Sequence, residues 1–151
     1  MHQLIREATP VDIPQILDLL REYREATPLE FLKQADDVNY ITQMLHEIMA
    51  GRGVLLVAEK ENSIFAMLIA GVHPSRWSPR HLLLTELAYY VKPENRGGTA
   101  GYRLLREYIK KGEQFKAEGR ICNYFISKMI NSPDLDYGRF GFEYLEQFWV
   151  Q

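Results

Sequence analysis

The stretch Arg96-Gly97-Gly98-Thr99-Ala100-Gly101 joins a long apolar segment to a long amphipathic one, and no other feature restricts the folds open to this chain as much. Ahead of it, residues 82–91 read Leu-Leu-Leu-Thr-Glu-Leu-Ala-Tyr-Tyr-Val, bounded by Pro79 and Pro93. An aliphatic and aromatic run of that length predicts a strand covered on both faces. Its one charged residue is Glu86. Behind the turn, Gly101, Leu104, Leu105, Tyr108, Gly112 and Phe115 recur at spacings of three and four, with Arg103, Arg106, Glu107, Lys110 and Lys111 between them. That period predicts a helix with one buried face.

A glycine turn between strand and helix has a chemical use. The first N–H groups of a helix lack partners inside it and sit at the positive end of its dipole, so they form an anion site. Gly97, Gly98 and Gly101 carry no Cβ to hold a phosphate away, and Arg96 adds a charge-assisted contact. A plain connecting loop is the alternative reading, and the turn alone leaves both open. A Walker loop is not present, since no Gly-Lys-Ser/Thr closes the turn.

The rest of the chain frames this unit. Residues 4–8 predict a first strand. Thr9 then caps a helix with Pro10 at its start, Asp12 in its first turn, and Ile13, Leu17, Leu20 and Tyr23 along one face. The pattern breaks at Ala26-Thr27-Pro28. A second helix is predicted from about Asp36, through Val38, Ile41, Met44, Leu45 and Ile48, to a stop at Gly51-Arg52-Gly53. Residues 54–59 and 64–72 predict antiparallel strands joined by a tight turn at Glu61-Asn62, and residues 73–80, with two prolines and Trp77, an irregular loop. After Gly119, residues 121–129 read as a strand that the helical crossover makes parallel to 82–91. Ser132-Pro133-Asp134 opens a short helix ending near Gly141, and residues 142–150 read as a last strand.

Composition narrows the function. At 151 residues, 46% hydrophobic and 25% charged, the chain can bury a substantial core as a single domain, residues 1–151. A net charge of −2 with no basic block argues against broad nucleic-acid or anionic-membrane binding. No apolar run approaches the roughly 20 residues of a membrane span, and Met1-His2-Gln3 begins no signal-peptide pattern, so a cytoplasmic protein is expected. Cys122 has no second cysteine to pair with and reads as a small packed hydrophobe. No histidines and carboxylates have metal-ligand spacing, so no metal is expected. His46 and His81 read as surface or capping residues.

Val91-Lys92-Pro93-Glu94-Asn95-Arg96-Gly97-Gly98-Thr99-Ala100-Gly101 resembles the acetyl-CoA motif of the GCN5-related N-acetyltransferases: Arg or Gln, two residues, Gly, one residue, then Gly or Ala. Arg96 and Gly101 match its ends, and Thr99 stands at its middle glycine. Tyr137-Gly138-Arg139-Phe140-Gly141-Phe142 resembles the family's Tyr-x-x-x-Gly-Phe. The resemblance spans essentially the whole chain. It implies an α/β domain in the order β-α-α-β-β-β-α-β-α-β, with helices on both faces of a mostly antiparallel sheet.

The same resemblance implies acetyl transfer from acetyl-CoA, as co-substrate, to a primary amine by direct attack in a ternary complex. It assigns the backbone of Tyr89, Tyr90 and Val91 to the pantetheine arm, at a split made by a bulge. The amides of Gly97, Gly98, Thr99, Ala100, Gly101 and Tyr102, with Arg96 beside them, go to the pyrophosphate. Asn131 is a further cofactor contact or an ordinary turn residue. Tyr137 is the acid that neutralises the leaving thiolate, or packs beneath the last strand. Glu86 is the base, or half of an ion pair with Arg80 or Arg120. Relatives place their glutamate where this chain has Thr85, and a shift of one residue changes faces unless a bulge intervenes.

The acceptor stays open among small amines, antibiotics, peptide N-termini and protein lysines, framed by residues 26–34 and 147–151. Tyr23, Phe31, Trp77 and Trp149 line its pocket or fill the core. Two other classes remain: a CoA-binding regulatory domain without catalysis, and an interaction module using residues 28–31 and 73–80. The family ends in two strands where this chain has room for one. The last hairpin is therefore absent, abbreviated or completed by the second subunit of a homodimer.

Overall fold

A computed structural model describes residues 3–129 and 135–151. Five strands, β1 (Leu4–Glu7), β2 (Gly53–Lys60), β3 (Ser63–Ser75), β4 (Ser78–Val91) and β5 (Asn123–Phe125), lie side by side in chain order. The first three pairings are antiparallel, and β4 with β5 is parallel. Glu61 and Asn62, both at positive φ, make the tight β2–β3 turn. The helices are α1 (Ile13–Glu25), α2 (Glu30–Gln34), α3 (Val38–Glu47) and α4 (Ala100–Ala117).

The alternation of a strand sends successive side chains to opposite faces, and here both faces are covered. Leu56, Leu68 and Leu84 pack with Leu104, Leu105, Tyr108 and Phe115 of α4. Leu55, Val57, Met67 and Ile69 pack with Ile16 and Leu19 of α1 and Leu45 of α3. The expected mixed sheet with helices on both faces is what forms.

One irregularity positions everything below. Ile69 pairs with Ala88 and Ala70 with Glu86, so Leu87 is left without a partner on β3 and forms a bulge. The bulge reverses the facing of the strand. Leu84 belongs to the α4-side core, whereas beyond Leu87 it is Tyr89 and Val91 that pack there, and Ala88 and Tyr90 that face α1 and α3.

Several expectations are corrected. Residues 73–80 are the closed end of a β3–β4 hairpin turning at Arg76 and Trp77, not an irregular loop. The ladder slips between Pro74 and Ser75, where prolines that cannot donate are tolerated. The short α2 spans too few residues to show a period, and α3 starts at Val38, two residues later than expected, with the Asp37 carboxylate accepting from the Tyr40 N–H at 3.0 Å. Strand β5 is far shorter than residues 121–129. The Cys122 N–H donates to Leu82 O at 2.8 Å and its side chain is exposed, while neighbouring Ile121 is the buried residue. The expected last strand over 142–150 does not form. Phe142 packs against the α4-side core, but Tyr144, Leu145, Phe148 and Trp149 are exposed, because three residues of β5 are too short an edge to hold a long partner. The expected helix start at Ser132-Pro133-Asp134 lies outside the described residues.

Candidate active site

Strands β4 and β5 pair at Leu83–Asn123, Leu84–Tyr124 and Thr85–Phe125, and then part. The buried Tyr108 hydroxyl, reaching up from α4, donates to Phe125 O at 2.5 Å and so closes the last rung. Glu86 stands in the fork. Its side of the strand is that of Leu84, which is why the residue after Thr85 can face the split once Leu87 bulges.

Glu86 is 5% exposed, yet two donors hold it: the Ser127 N–H at 3.0 Å and the Ser127 hydroxyl at 2.9 Å, both on Oε1. Burial pushes its pKa up, and the two Ser127 bonds, which favour the charged form, work against that rise. The ion pair with Arg80 or Arg120 is not formed: among the described residues no cation pairs with Glu86, and Arg120 instead donates to Gly51 O at 2.5 Å and lies over Phe115.

The fork opens into a cleft. Glu86, Tyr89, Tyr90 and Val91 of β4, Arg96, Gly97 and Gly98 of the turn, Gly101 and Tyr102 of α4, and Tyr137 all line it. Tyr23, Asn95, Ser127, Met129 and Leu135 complete the wall. Thr99 and Ala100 are not in that lining: Thr99 is the N-cap of α4 and the Ala100 methyl is buried in the core beneath. Asn131 lies outside the described residues. Of the four aromatics weighed for an acceptor pocket, Tyr23 reaches the cleft, and Phe31, Trp77 and Trp149 are exposed elsewhere.

The turn is built to be open. Gly97 has φ of 91°, which glycine adopts at no steric cost. A Cβ on Gly97 would meet nothing within 4 Å, and one on Gly98 nothing nearer than Asn95 O at 3.8 Å. Gly101 has a different role: the Tyr89 hydroxyl donates to its carbonyl, and a Cβ there would lie 3.4 Å from that oxygen. The Arg96 Nε–H donates to Val91 O at 2.9 Å, and its guanidinium sits 5.5 Å from the Tyr90 ring centre. Val91 therefore has its carbonyl engaged by Arg96.

Tyr137 opens a short 3-10 turn (Tyr137–Phe140), which Asp136 caps through the Gly138 N–H at 3.0 Å and Gly141, at φ 90°, ends. Its hydroxyl donates to Ser127 O at 3.4 Å, and Phe142 meets its ring edge-on at 6.1 Å. Burial first, and then the Glu86 charge, hold its pKa above the ordinary phenol value. Tyr23, from α1, stacks edge-on against Tyr90 at 6.1 Å, and the same two causes push it up to about 12.

Sequence reasoning missed Ser127, Asn95, Met129 and Leu135. A serine just past the end of a short strand carries no local signal of the carboxylate it will meet. His73 also escaped notice; its Nε2 lies 2.6 Å from Thr85 Oγ1, outside the cleft lining. Among the described residues no group of three His, Cys, Asp or Glu could hold a metal, and no helix is long and apolar enough to cross a membrane.

No protein-family model matches the sequence, and no curated protein matches it. Solved structures do match its fold. A GCN5-related N-acetyltransferase of Ralstonia eutropha JMP134 is 18% identical, over 99% of this chain and 98% of that one, with a TM-score of 0.75. A predicted acetyltransferase of Clostridium acetobutylicum, solved with acetyl-CoA, is 14% identical over 99% and 96%, with a TM-score of 0.68. A ribosomal-protein-alanine N-acetyltransferase of Brucella melitensis is 29% identical over 75% and 68%, with a TM-score of 0.59. The fold is thus that of the acetyltransferases. More narrowly, it is that of the GCN5-related N-acetyltransferases, the family whose two motifs the sequence resembles.

Proposed function

We propose that this chain is an acetyl-CoA-dependent N-acetyltransferase that moves an acetyl group to a primary amine by direct attack in a ternary complex. The observation that carries this reading is the fork between β4 and β5, with the Glu86 carboxylate and the Tyr137 hydroxyl both bound to Ser127 inside it. Open space over Gly97 and Gly98, ahead of the first-turn amides of α4, which the Thr99 side chain does not cap, suits a pyrophosphate. Tyr89 and Tyr90, beyond the last β4–β5 rung, have strand edge to offer an extended pantetheine arm.

Bound acetyl-CoA would supply a thioester whose carbonyl carbon accepts the amine nitrogen. Glu86 takes the proton that the amine loses as the C–N bond forms, directly or through a water. A carboxylate held above its ordinary pKa is a better base for that task. As the C–S bond breaks, Tyr137 donates a hydrogen bond to the sulfur. A thiol's pKa is about 8.5 and a phenol's about 10, and this phenol is raised further, so the hydroxyl stays protonated and stabilises the thiolate as a donor. The thiolate ends as a thiol with the proton the amine released.

Purified protein mixed with acetyl-CoA and a panel of amines should release free thiol, each equivalent matched by one acetylated amine. Acetyl-CoA binding without turnover across a broad panel would instead support a CoA-binding domain that has lost catalysis.

A further inference from the structure

The cleft has two chemically distinct ends. At the glycine turn stand Arg96 and the positive end of α4. At the fork stand Tyr23, Glu86, Ser127, Met129, Leu135 and Tyr137: among the described residues, one carboxylate, hydroxyl groups and apolar side chains, with no cation in the lining. Lys128 rests over the Tyr137 ring at 5.4 Å, outside that lining.

Two oxygen atoms at the fork end are left for a ligand. Both Ser127 bonds fall on Glu86 Oε1, which leaves Oε2 without a protein donor among the described residues. The Tyr23 hydroxyl likewise makes no hydrogen bond among them. Both residues line the cleft. Tyr23 comes from α1, across the sheet from α4, and its ring is fixed by its edge-on contact with Tyr90. A phenol oxygen, a carboxylate oxygen and flanking aromatic faces together make a receptor for an ammonium group.

Resting on the acetyltransferase reading, we propose that Tyr23 determines acceptor specificity: its hydroxyl and Glu86 Oε2 together receive a primary alkylammonium nitrogen, and the Glu86 charge disfavours amines that carry a carboxylate near that nitrogen. Propylamine fits this site. Glycine and β-alanine bring a negative charge toward the Glu86 carboxylate.

The test compares the unaltered protein with Tyr23→Phe, both saturated with acetyl-CoA, on propylamine, β-alanine and glycine. Tyr23→Phe keeps the ring and breaks no hydrogen bond among the described residues, so its melting temperature and acetyl-CoA affinity should stay as they were. Its KM for propylamine should rise about tenfold, with kcat changed much less. The unaltered protein should prefer propylamine over either amino acid by about tenfold or more. An unchanged KM in Tyr23→Phe, or equal use of β-alanine, overturns the proposal. Calorimetric binding of propylammonium to the CoA-loaded protein separates the two readings. Binding that weakens in Tyr23→Phe without any turnover would sustain the ammonium site and sink the acetyltransferase; binding unaffected by the substitution would sink the ammonium site whatever the turnover.

Discussion

Ser127 holds the Glu86 carboxylate from two sides of one residue, with its backbone N–H at 3.0 Å and its hydroxyl at 2.9 Å, across the fork that opens where β4 and the chain beyond β5 no longer pair. Each donor bonds an oxygen that would otherwise be desolvated at a cost. That arrangement keeps a carboxylate where, among the described residues, no cation pairs with it.

For Glu86 the sign of the pH dependence follows from burial. Its folded-state pKa lies above its ordinary value of 4.5, so its stabilising contribution is complete below that value and is lost as pH rises through the folded pKa. Glu86→Gln has no such loss. The variant should become more stable relative to the parent as pH rises from 4 to 8, by up to about 2 kcal/mol at neutral pH. Its turnover should fall on the order of 10²-fold or more, and the acid limb of the rate profile should vanish. Thermal melts and initial rates across pH check both; a variant that melts lower at pH 8 would contradict the assignment.

Tyr137→Phe removes the hydroxyl and keeps the ring against Phe142. The bond lost, to Ser127 O, is 3.4 Å long, so stability should change by less than about 1 kcal/mol. Turnover should drop on the order of 10²-fold with acetyl-CoA affinity nearly unchanged. A residue that only packs would leave turnover within about twofold.

Gly98→Val and Gly97→Val separate ligand space from backbone strain. At Gly98 the nearest atom to an added Cβ is 3.8 Å away and φ is not positive, so the variant should fold normally and lose CoA affinity by calorimetry. At Gly97, with φ of 91°, the branched side chain should cost about 1 to 3 kcal/mol of stability as well. Unchanged CoA affinity in Gly98→Val would remove the phosphate from this turn.

Away from the cleft, Arg6 ties β1 to the start of α1 and to β2, donating to Asp12 at 2.7 and 2.9 Å and to Glu59 at 3.0 Å. The Arg6 bonds, against a smaller opposing effect of burial, hold Asp12 below its ordinary 3.8. The stability this gives is present above 3.8 and lost as pH falls through the folded value. Asp12→Asn should cost about 1 to 3 kcal/mol at pH 7 and leave turnover unchanged. The difference between variant and parent melts should shrink as pH falls below 3.8.

The sequence by itself determined the parts whose physics is local. The run at 82–91, the period of α4 and the glycines after Arg96 are fixed by side-chain spacing and backbone freedom within a few neighbouring residues, and so is the Gly141 stop behind Tyr137. Pairing between strands decided the rest. Whether Glu86 or Thr85 faces the fork depends on the bulge at Leu87, which exists because β3 pairs Ile69 with Ala88 and Ala70 with Glu86. That Ser127 holds Glu86, that Tyr23 reaches the cleft from the other face of the sheet, and that residues 142–150 find no strand to join are contacts between distant segments. A side chain carries no mark of a partner 41 residues away, because that meeting is set by how the sheet folds against its helices and not by the residues beside it.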